Sequence, residues 1–290
     1  MPELPEVETI KRDLESIIVG KKIKDVEVKR AKTIKEPSVE NFIKRVQNQE
    51  IKGISRRGKM LILKFSSQYL VVHLRMTGQI IYGDKQQESK VVFRLSDGKY
   101  LNFLDRRVMG EIRLVNNWQE LPFIQKMGPE PLEKEFSLEK FQKILKGKKA
   151  QIKPLLMDQS FIAGIGNLYA AEILFRAKVS PLRPTNSLNS AEVREIYLAI
   201  KEILREGIKY RGSSVNTYRD AYGEKGNFAQ RLQVYNRAGR PCFRCGTLIK
   251  KIDLGGRGTY FCPTCQKYSK ERKNKKPLKR GEGSSFPGKD

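Results

Sequence analysis

The chain has 290 residues and a formal net charge of +26, with 58 Lys and Arg against 32 Asp and Glu. This surplus indicates a polyanionic partner, and nucleic acid fits better than an acidic membrane surface because no apolar run approaches the ~20 residues of a spanning helix. The opening segment is amphipathic and charged, unlike a signal peptide, so we expect a cytoplasmic protein without a membrane partner. Its length allows one large domain or two ordinary ones.

The first predicted element is a helix whose start lies in the opening six residues, MPELPE. Apolar residues keep helical spacing up to a stop signal at Gly20, namely Val7, Ile10, Leu14, Ile17 and Ile18. One interpretation of the opening is helix capping, because Pro and acidic residues both favour a helix start. The other is chemical. Removal of Met1 would leave Pro2 with a free secondary amine, of pKa ~7.7–8.0. Its neighbours would be the carboxylates of Glu3 and Glu6, a set suited to covalent imine chemistry.

A β-rich region follows the first helix. Apolar or alternating runs, separated by turn residues, occupy 23–29, 60–65, 69–74, 91–95, 100–103 and 111–115. Six or more short strands at near-regular spacing predict an antiparallel sandwich or barrel.

Two segments of this region carry candidate ligand contacts. Lys59 belongs to the cationic cluster Arg56-Arg57-Gly58-Lys59, and His73, Arg75 and Met76 lie at the end of a predicted strand. A Met at a strand end packs in the core of most proteins. In DNA-bending proteins an apolar side chain can instead be inserted between bases. Both interpretations of Met76 stay open on the residues alone.

Helical signals begin beyond the segment 127–131, so we place a domain boundary close to Pro131. The predicted helices cover 137–145, 152–158, 167–176 and 191–205.

The glycines of Gly164–Asn167 precede a helix. Their backbone N–H groups can bind an anion, or the segment can simply form a turn between helices. The nearby Lys153 favours the anion. Loop signals then run from Gly212 to about Gly226.

The four cysteines all lie between positions 242 and 265 of a chain without a secretion signal, which favours metal over disulfides. Cys242 and Cys245 form one C-x2-C pair, and Cys262 and Cys265 form another after sixteen residues. This spacing predicts a zinc site of four thiolates, which has no open position and is structural. Between the pairs, Arg257 lies among three glycines, where a basic chain favours a phosphate or groove contact.

The tail, residues 267–290, has nine Lys and Arg against three Asp and Glu and little apolar content. This composition predicts disorder. Most of the positive charge therefore belongs to the part of the chain that is predicted to fold.

Taken together, these segments resemble the formamidopyrimidine-DNA glycosylase family, within the wider group that includes endonuclease VIII. The matching segments occur in order and are PELPEV at 2–7, GK at 58–59, HLRMTG at 73–78, KPLLMD at 153–158, GIGNLYAAE at 164–172, GSS at 212–214 and QVYNRAGRPC at 233–242, followed by the cysteine pairs. PELPEV is the most specific single motif, and the ordered set covers nearly the whole chain.

The resemblance implies an α+β protein. Residues 1–130 would form an N-terminal antiparallel β-sandwich flanked by helices, 131–235 a helix–two-turn–helix DNA-binding domain with a lesion loop, and 236–266 a β-hairpin zinc finger with one structural Zn²⁺, before the disordered tail 267–290. The implied partner is double-stranded DNA with oxidised bases or abasic sites, bound by a monomer in a cleft between the lobes. The implied reaction is excision of 8-oxoguanine and formamidopyrimidines, followed by β,δ-elimination.

The resemblance also assigns roles by position in the matching motifs. Pro2 would be the Schiff-base nucleophile, Glu3 the general acid and Glu6 a support of the active site. Lys59 would bind phosphate and assist elimination, and Lys153 would lie near the damaged base. The implied DNA contacts are His73, Arg75, Met76, Arg107, Met109, Asn167 and Arg257.

One position departs from the family pattern. The family fills the vacated base stack with a Met, an Arg and a Phe. Met76 and Arg107 match the first two, but Met109 stands where the pattern has Phe. The change weakens aromatic stacking and leaves the opposite-base preference open.

Two alternative functions stay under consideration. An enzyme like endonuclease VIII would prefer oxidised pyrimidines, and the PELPEV start, in place of PEGPE, argues against it. A DNA-binding protein without catalysis would keep the clamp and the finger but not the reaction. The intact set of Pro2, Glu3, Glu6 and Lys59 argues against that second alternative.

Overall fold

The computed structural model describes residues 1–268. The predicted disorder of residues 267–290 therefore lies almost wholly outside the described residues. Within them, sheets and helices form separate layers, which confirms the predicted α+β class. No helix in this part of the chain has the length and apolar content needed to cross a bilayer.

The first helix, α1 (Leu4–Ile18), lies at the junction between the two halves of the molecule. Its apolar face is fully buried at Val7, Ile10 and Leu14, as the helical spacing predicted. Glu3 is the residue before the helix, and Glu3 and Glu6 form a capping box. The capping interpretation of the opening is therefore right, and it does not exclude the chemical one.

The N-terminal half contains two sheets with a shared core. In spatial order, the five-stranded sheet consists of β2 (Ile34–Glu36), β9 (Glu111–Val115), β5 (Tyr69–His73), β4 (Met60–Lys64) and β3 (Gly53–Arg57). The four-stranded sheet consists of β1 (Ile23–Val28), β7 (Val91–Leu95), β8 (Tyr100–Asp105) and β6 (Gly78–Gly83). All pairings are antiparallel except that of β2 with β9.

Six of these strands agree with the predicted ones, and β2, β3 and β6 were not predicted. β2 has only three residues, β3 ends in two arginines, and β6 begins and ends with Gly. Each of these features weakens the alternating apolar signal on which strand prediction depends.

The remaining helices are α2 (Val39–Val46), α3 (Pro122–Gln125), α4 (Leu138–Leu145), α5 (Ile152–Met157), α6 (Asn167–Arg176) and α7 (Ser190–Lys209). α4 to α7 confirm the four predicted helices, with α7 extending four residues further than predicted. They enclose a second core, in which α6 packs against α7. α2 was missed, although Ser38 caps it and its Phe42 and Val46 are buried.

The C-terminal hairpin pairs β10 (Lys250–Asp253) with β11 (Gly258–Phe261). It packs on α6 through a small third core that includes Phe175, Val234 and Cys262.

Each of the two larger cores includes residues from the other half of the chain. Leu4 of α1 is buried in the helical core, whereas Tyr218 and Ala221, from the loop after α7, are buried in the sandwich core. The Tyr82 N–H of β6 donates to the Ala221 carbonyl at 2.8 Å. The 213–226 loop therefore spans the junction where the halves meet.

Candidate active site

A cleft of about 420 Å³ lies at this junction. It is lined by nine of the predicted site residues, which are Pro2, Glu3, Glu6, Lys59, His73, Arg75, Met76, Asn167 and Arg257. They come from all three parts of the chain, so the fold brings together residues that are up to 255 positions apart. Lys153, Arg107 and Met109 lie outside the lining.

The Glu3 carboxylate lies on the amino terminus of α6. One oxygen accepts hydrogen bonds from the N–H groups of Gly166 (2.6 Å) and Tyr169 (3.4 Å), and the other from Leu168 (3.0 Å). A Cβ at position 166 would lie 2.4 Å from the Glu3 carboxyl carbon, so a larger residue there would displace the Glu3 side chain. The anion expected at Gly164–Asn167 is therefore the side chain of Glu3, and not a phosphate on these backbone groups.

Glu6 lies one helical turn further on and is buried. One of its oxygens accepts from the Tyr169 hydroxyl (2.7 Å) and the Ser213 N–H (2.8 Å), and the other accepts from the Glu3 N–H (2.8 Å). Burial, followed by the negative charge of Glu3, raises the pKa of Glu6 to about 7. Glu6 thus joins α1, α6 and the 213–226 loop, and it titrates near neutral pH.

Two amino groups lie beside these carboxylates. Burial lowers the pKa of the Met1 amine, and Glu3 and Glu6 oppose that shift. Lys59 enters from the turn between β3 and β4, and burial lowers its pKa too. Its ammonium makes no hydrogen bond or ion pair with the part of the chain that the structure describes. A buried, unpaired amine in a cleft is a marker of a functional site.

The arginines next to Lys59 are engaged elsewhere. Arg56 and Arg57 form ion pairs with Glu130 at 2.8 Å and 3.1 Å, and Arg56 also pairs with Glu8 at 3.0 Å. They fasten the β3–β4 turn to α1 and to the segment just before the helical half. Within the predicted cationic cluster, Lys59 is the member that faces the cleft.

The strand end after β5 forms the opposite wall. Nδ1 of His73 accepts from the Arg75 N–H at 2.9 Å, and the Arg75 guanidinium donates to Glu111 at 2.7 Å. Burial, followed by the charge of Arg75, lowers the pKa of His73 to about 4, so its ring is neutral at neutral pH. Met76 follows and lines the cleft, so it is not the core residue that the simpler interpretation predicted.

Arg107 and Met109 belong to a neighbouring loop between β8 and β9. The Asp105 carboxylate accepts their N–H groups at 3.1 Å and 2.7 Å, and Met109 is 43% exposed. The Arg107 N–H also donates to Thr77 at 3.2 Å. This loop therefore lies beside Met76, outside the cleft itself.

Lys153 is buried and binds side chains of α6 and of the finger hairpin. Its Nζ donates to Asn167 Oδ1 at 2.5 Å and to Thr259 Oγ1 at 2.9 Å, and Asn167 donates to the Gly258 carbonyl at 3.0 Å. Burial lowers the pKa of Lys153 to about 8. These bonds join α5, α6 and the finger hairpin, and thereby place Arg257 at the rim of the cleft.

Some cleft residues were not named by sequence analysis. The loop after α7 contributes Val215, Asn216, Thr217 and Tyr218, and the helical half contributes Tyr169 and Tyr235. Tyr169 had a signal, since it lies within the GIGNLYAAE segment. The loop residues had only a loop composition, which does not indicate what a loop will cover.

The four cysteine sulfurs form a compact group, all within 4.8 Å of one another. Cys242 and Cys265 are 4.0 Å apart and Cys245 and Cys262 are 3.5 Å apart. A tetrahedral zinc with Zn–S bonds of ~2.3 Å requires S–S separations of about 3.8 Å, so the set fits that ion.

Three family models match the chain. They are the formamidopyrimidine-DNA glycosylase N-terminal domain over residues 1–112, the H2TH domain of the same family over 127–219, and a zinc finger found in FPG and IleRS over 239–267. With the sulfur geometry, the last match identifies one structural zinc ion held by the four cysteines.

Individual proteins agree with these models. The formamidopyrimidine-DNA glycosylase of Pelotomaculum thermopropionicum is 46% identical over 274 residues, which cover 92% of this chain and 99% of the relative. Two structures of Lactococcus lactis Fpg, one a variant in complex with Fapy-dG DNA and one in complex with abasic-site DNA, are each 38% identical. Their TM-scores are 0.86 and 0.85, and each match covers 92% of this chain and 100% of theirs. The chain therefore belongs to the formamidopyrimidine-DNA glycosylase family of base-excision enzymes.

Proposed function

We propose that this protein excises oxidised purines, such as 8-oxoguanine and formamidopyrimidines, from double-stranded DNA and then cleaves the strand by β,δ-elimination. The observation that carries the proposal is the amino-terminal end of the chain. It lies in a cleft against two buried carboxylates and the buried ammonium of Lys59, which has no partner within residues 1–268.

The proposed nucleophile is the Pro2 nitrogen. Met1 itself lines the cleft, so its removal would expose the Pro2 nitrogen to the same surroundings that lower the pKa of the Met1 amine. A larger fraction of the amine is then neutral and able to attack. Attack on C1′ of the sugar forms a C1′–N bond to Pro2 and breaks the bond to the base, which leaves with a proton. Loss of the ring oxygen from C1′ gives the iminium.

Glu3 is the proposed proton donor for opening the sugar ring. Backbone N–H groups at the start of α6, those of Gly166, Leu168 and Tyr169, fix the Glu3 carboxyl group in the cleft. Glu6 supports this arrangement from behind, because it binds the Glu3 N–H.

The positive groups around the cleft are proposed to hold the DNA backbone. Lys59, Asn167 and Arg257 would contact phosphates near the lesion, and Lys153 would support Asn167 through their 2.5 Å hydrogen bond. Phosphate contacts fix register without reading sequence. Lys59 would also assist elimination, since its lowered pKa makes proton transfer easier.

Access to C1′ requires that the damaged nucleotide leave the base stack. Met76, at the cleft wall, is proposed to fill the vacated space, with His73 and Arg75 beside it. Arg107 and Met109 would reach the opposite strand from the adjoining loop. The Lactococcus lactis complexes with Fapy-dG and abasic-site DNA support this mode of binding.

We further propose the division into residues 1–130, 131–235 and 236–266 as catalytic, helix–two-turn–helix and finger units. The protein would act as a monomer on DNA of the cytoplasmic nucleoid.

Excision from matched duplexes tests this function. Duplexes with 8-oxoguanine, formamidopyrimidine, dihydrouracil or a plain abasic site are incubated with the enzyme in excess. We expect release of the two purine lesions and cleavage at the abasic site, with dihydrouracil the poorest base. Preferred release of dihydrouracil would favour the specificity of endonuclease VIII, and tight binding without any cleavage would favour a protein that only binds DNA.

A further inference from the structure

Arg211 takes no part in the chemistry above, yet its backbone lies in the left-handed region, with φ at 59°. It follows the C-terminal end of α7, a place where glycine adopts positive φ without steric cost. A non-glycine residue in such a conformation needs an interaction that compensates for the strain.

The Arg211 side chain binds two buried carboxylates from two other elements. Its Nη2 donates to Asp13 of α1 at 2.7 Å and to Asp220 of the 213–226 loop at 2.6 Å, and its Nε donates to Asp220 at 3.1 Å. Asp13 is 7% exposed and Asp220 is 1% exposed. If the guanidinium were removed, each would be a buried charge without a cationic partner among the described residues. One side chain therefore joins α1, the end of α7 and the loop.

Asp220 extends this anchor into the loop. Its Oδ1 accepts the N–H groups of Tyr222 (3.0 Å) and Glu224 (2.9 Å), and its own N–H donates to the Glu224 carbonyl at 3.0 Å. The turn at 220–224 is thus closed around the Asp220 carboxylate, which also binds the Arg211 guanidinium. The next residue, Ala221, is fixed to β6 through the Tyr82 N–H. The second half of the loop is an anchor, whereas its first half lines the cleft.

We propose that Arg211 is a positioning residue that holds the 213–226 loop over the cleft, so that Val215–Tyr218 contact an extruded base. The proposal rests on the proposed glycosylase function. Reaction at the sugar uses Pro2 and Glu3, whereas the loop bonds this end of the chain at Glu6, through the Ser213 N–H on its carboxylate and the Tyr218 hydroxyl on its carbonyl. Loss of Arg211 should therefore slow release of a damaged base much more than elimination at an abasic site, which has no base to hold.

Arg211→Gly is the informative variant, because it removes the charge and the left-handed strain together. Under single-turnover conditions we expect release of 8-oxoguanine to slow by about tenfold, which is the scale of a lost side-chain coupling. Abasic-site cleavage should change by less than about twofold. Asp220→Asn should give the same selective defect. The double variant should be no slower than either single one, and Arg211→Lys should recover part of the rate.

Lys178→Gly is the matched control. Lys178 also follows a helix, α6, with φ at 56°, and it is exposed, without an ion pair among the described residues. Both activities should stay unchanged in this variant.

Hydrogen exchange of the Tyr222 and Glu224 amides in the free protein gives a readout that is independent of activity. Exchange should be faster in Arg211→Gly than in the wild-type protein. Equal loss of both activities, or unchanged base release with unchanged exchange, would overturn the proposal. If the wild-type protein releases no base from any duplex, the proposed function fails, and the exchange rates still decide whether Arg211 holds the loop.

Discussion

The two ends of the described chain meet at the cleft but are held there by different forces. At the amino-terminal end, Glu3 and Glu6 are buried. Their side chains accept six of the hydrogen bonds described above, from the start of α6, from Ser213 of the loop and from the Glu3 N–H. At the other end, the hairpin that carries Arg257 is small, is exposed along most of β10 and at its turn, and is flanked by the four cysteines of the zinc site. The carboxylates beside the proposed nucleophile are thus held by the body of the protein. Arg257, which we propose to bind DNA, lies instead on a small unit that we expect to unfold separately.

Removal of zinc should have the largest effect and should be confined to one end. Chelation, or Cys245→Ser, should unfold the hairpin, because structural zinc contributes about 10 kcal/mol or more to the folding of small fingers. Affinity for an abasic-site duplex, measured by fluorescence anisotropy, should fall by orders of magnitude. Circular dichroism should show that the helices of the rest of the protein stay intact. Thr264→Ser, between two ligands, is the control. Normal DNA affinity without zinc would show that the finger is not part of the clamp.

At the other end, Glu3→Gln should separate the two reactions. An amide cannot supply a proton, so release of 8-oxoguanine should slow by the ~10²–10⁴-fold that general acid catalysis contributes. Cleavage of a preformed abasic site depends on the amine and should be partly retained. Both are measured as single-turnover rates, with the exposed Glu15→Gln of the same helix as control. Equal loss of both would mean that Glu3 only positions Pro2.

The pH dependence of stability should report the burial of Glu6. Burial raises the pKa of Glu6 to about 7 in the folded state, against an ordinary value of 4.5. Between these pH values the folded state keeps a proton that the unfolded state has released. The free energy of unfolding therefore falls as pH rises through this window, by up to about 3 kcal/mol.

Urea unfolding of the wild-type protein and of Glu6→Gln at pH 5 and pH 8 checks this contribution. The variant should lose less stability than the wild type between the two pH values. An identical loss in both proteins would show that Glu6 titrates normally.

Gly166→Ala is the smallest change and tests how tightly the amino-terminal end is held. Position 166 has φ at −127°, so Ala causes no backbone strain, but its Cβ would lie 2.4 Å from the Glu3 carboxyl carbon. Displacement of Glu3 should slow base release by about tenfold, since small misplacements of reacting groups are costly. Gly53→Ala, where a Cβ meets nothing within 4 Å, is the control. An unchanged rate would mean that α6 does not fix Glu3.

The comparison of the two ends also explains what the sequence could predict. The finger was predictable because its four ligands lie in two short motifs whose spacing specifies the metal geometry. The proposal of Pro2 as the nucleophile also comes from the sequence, because a Pro at position 2 would present a secondary amine once Met1 is removed, and it stays a prediction. By contrast, the sequence pattern indicated an anion at the start of α6 but not that the anion is Glu3, which lies more than 160 residues away.

Long-range pairing accounts for the other differences. The cluster at 56–59 is rich in positive charge, but Arg56 and Arg57 pair with Glu130, more than 70 positions away, and only the fold reveals this. Likewise, loop composition predicted the 213–226 segment without indicating that Arg211 would hold it against α1. Local motifs specify local chemistry, whereas the partners of a side chain depend on how distant segments pack.

The most direct test of the account is the identity of the trapped nucleophile. The protein, prepared as two forms separated by mass, with Met1 removed or retained, is incubated with abasic-site DNA and borohydride, which reduces the iminium to a stable bond. We expect covalent capture in the processed form, with the DNA attached to Pro2 in the peptide map, and strongly reduced capture when Met1 is present. Equal capture in both forms, or attachment to Lys59 or Lys153, would contradict the assignment of the Pro2 nitrogen as the nucleophile.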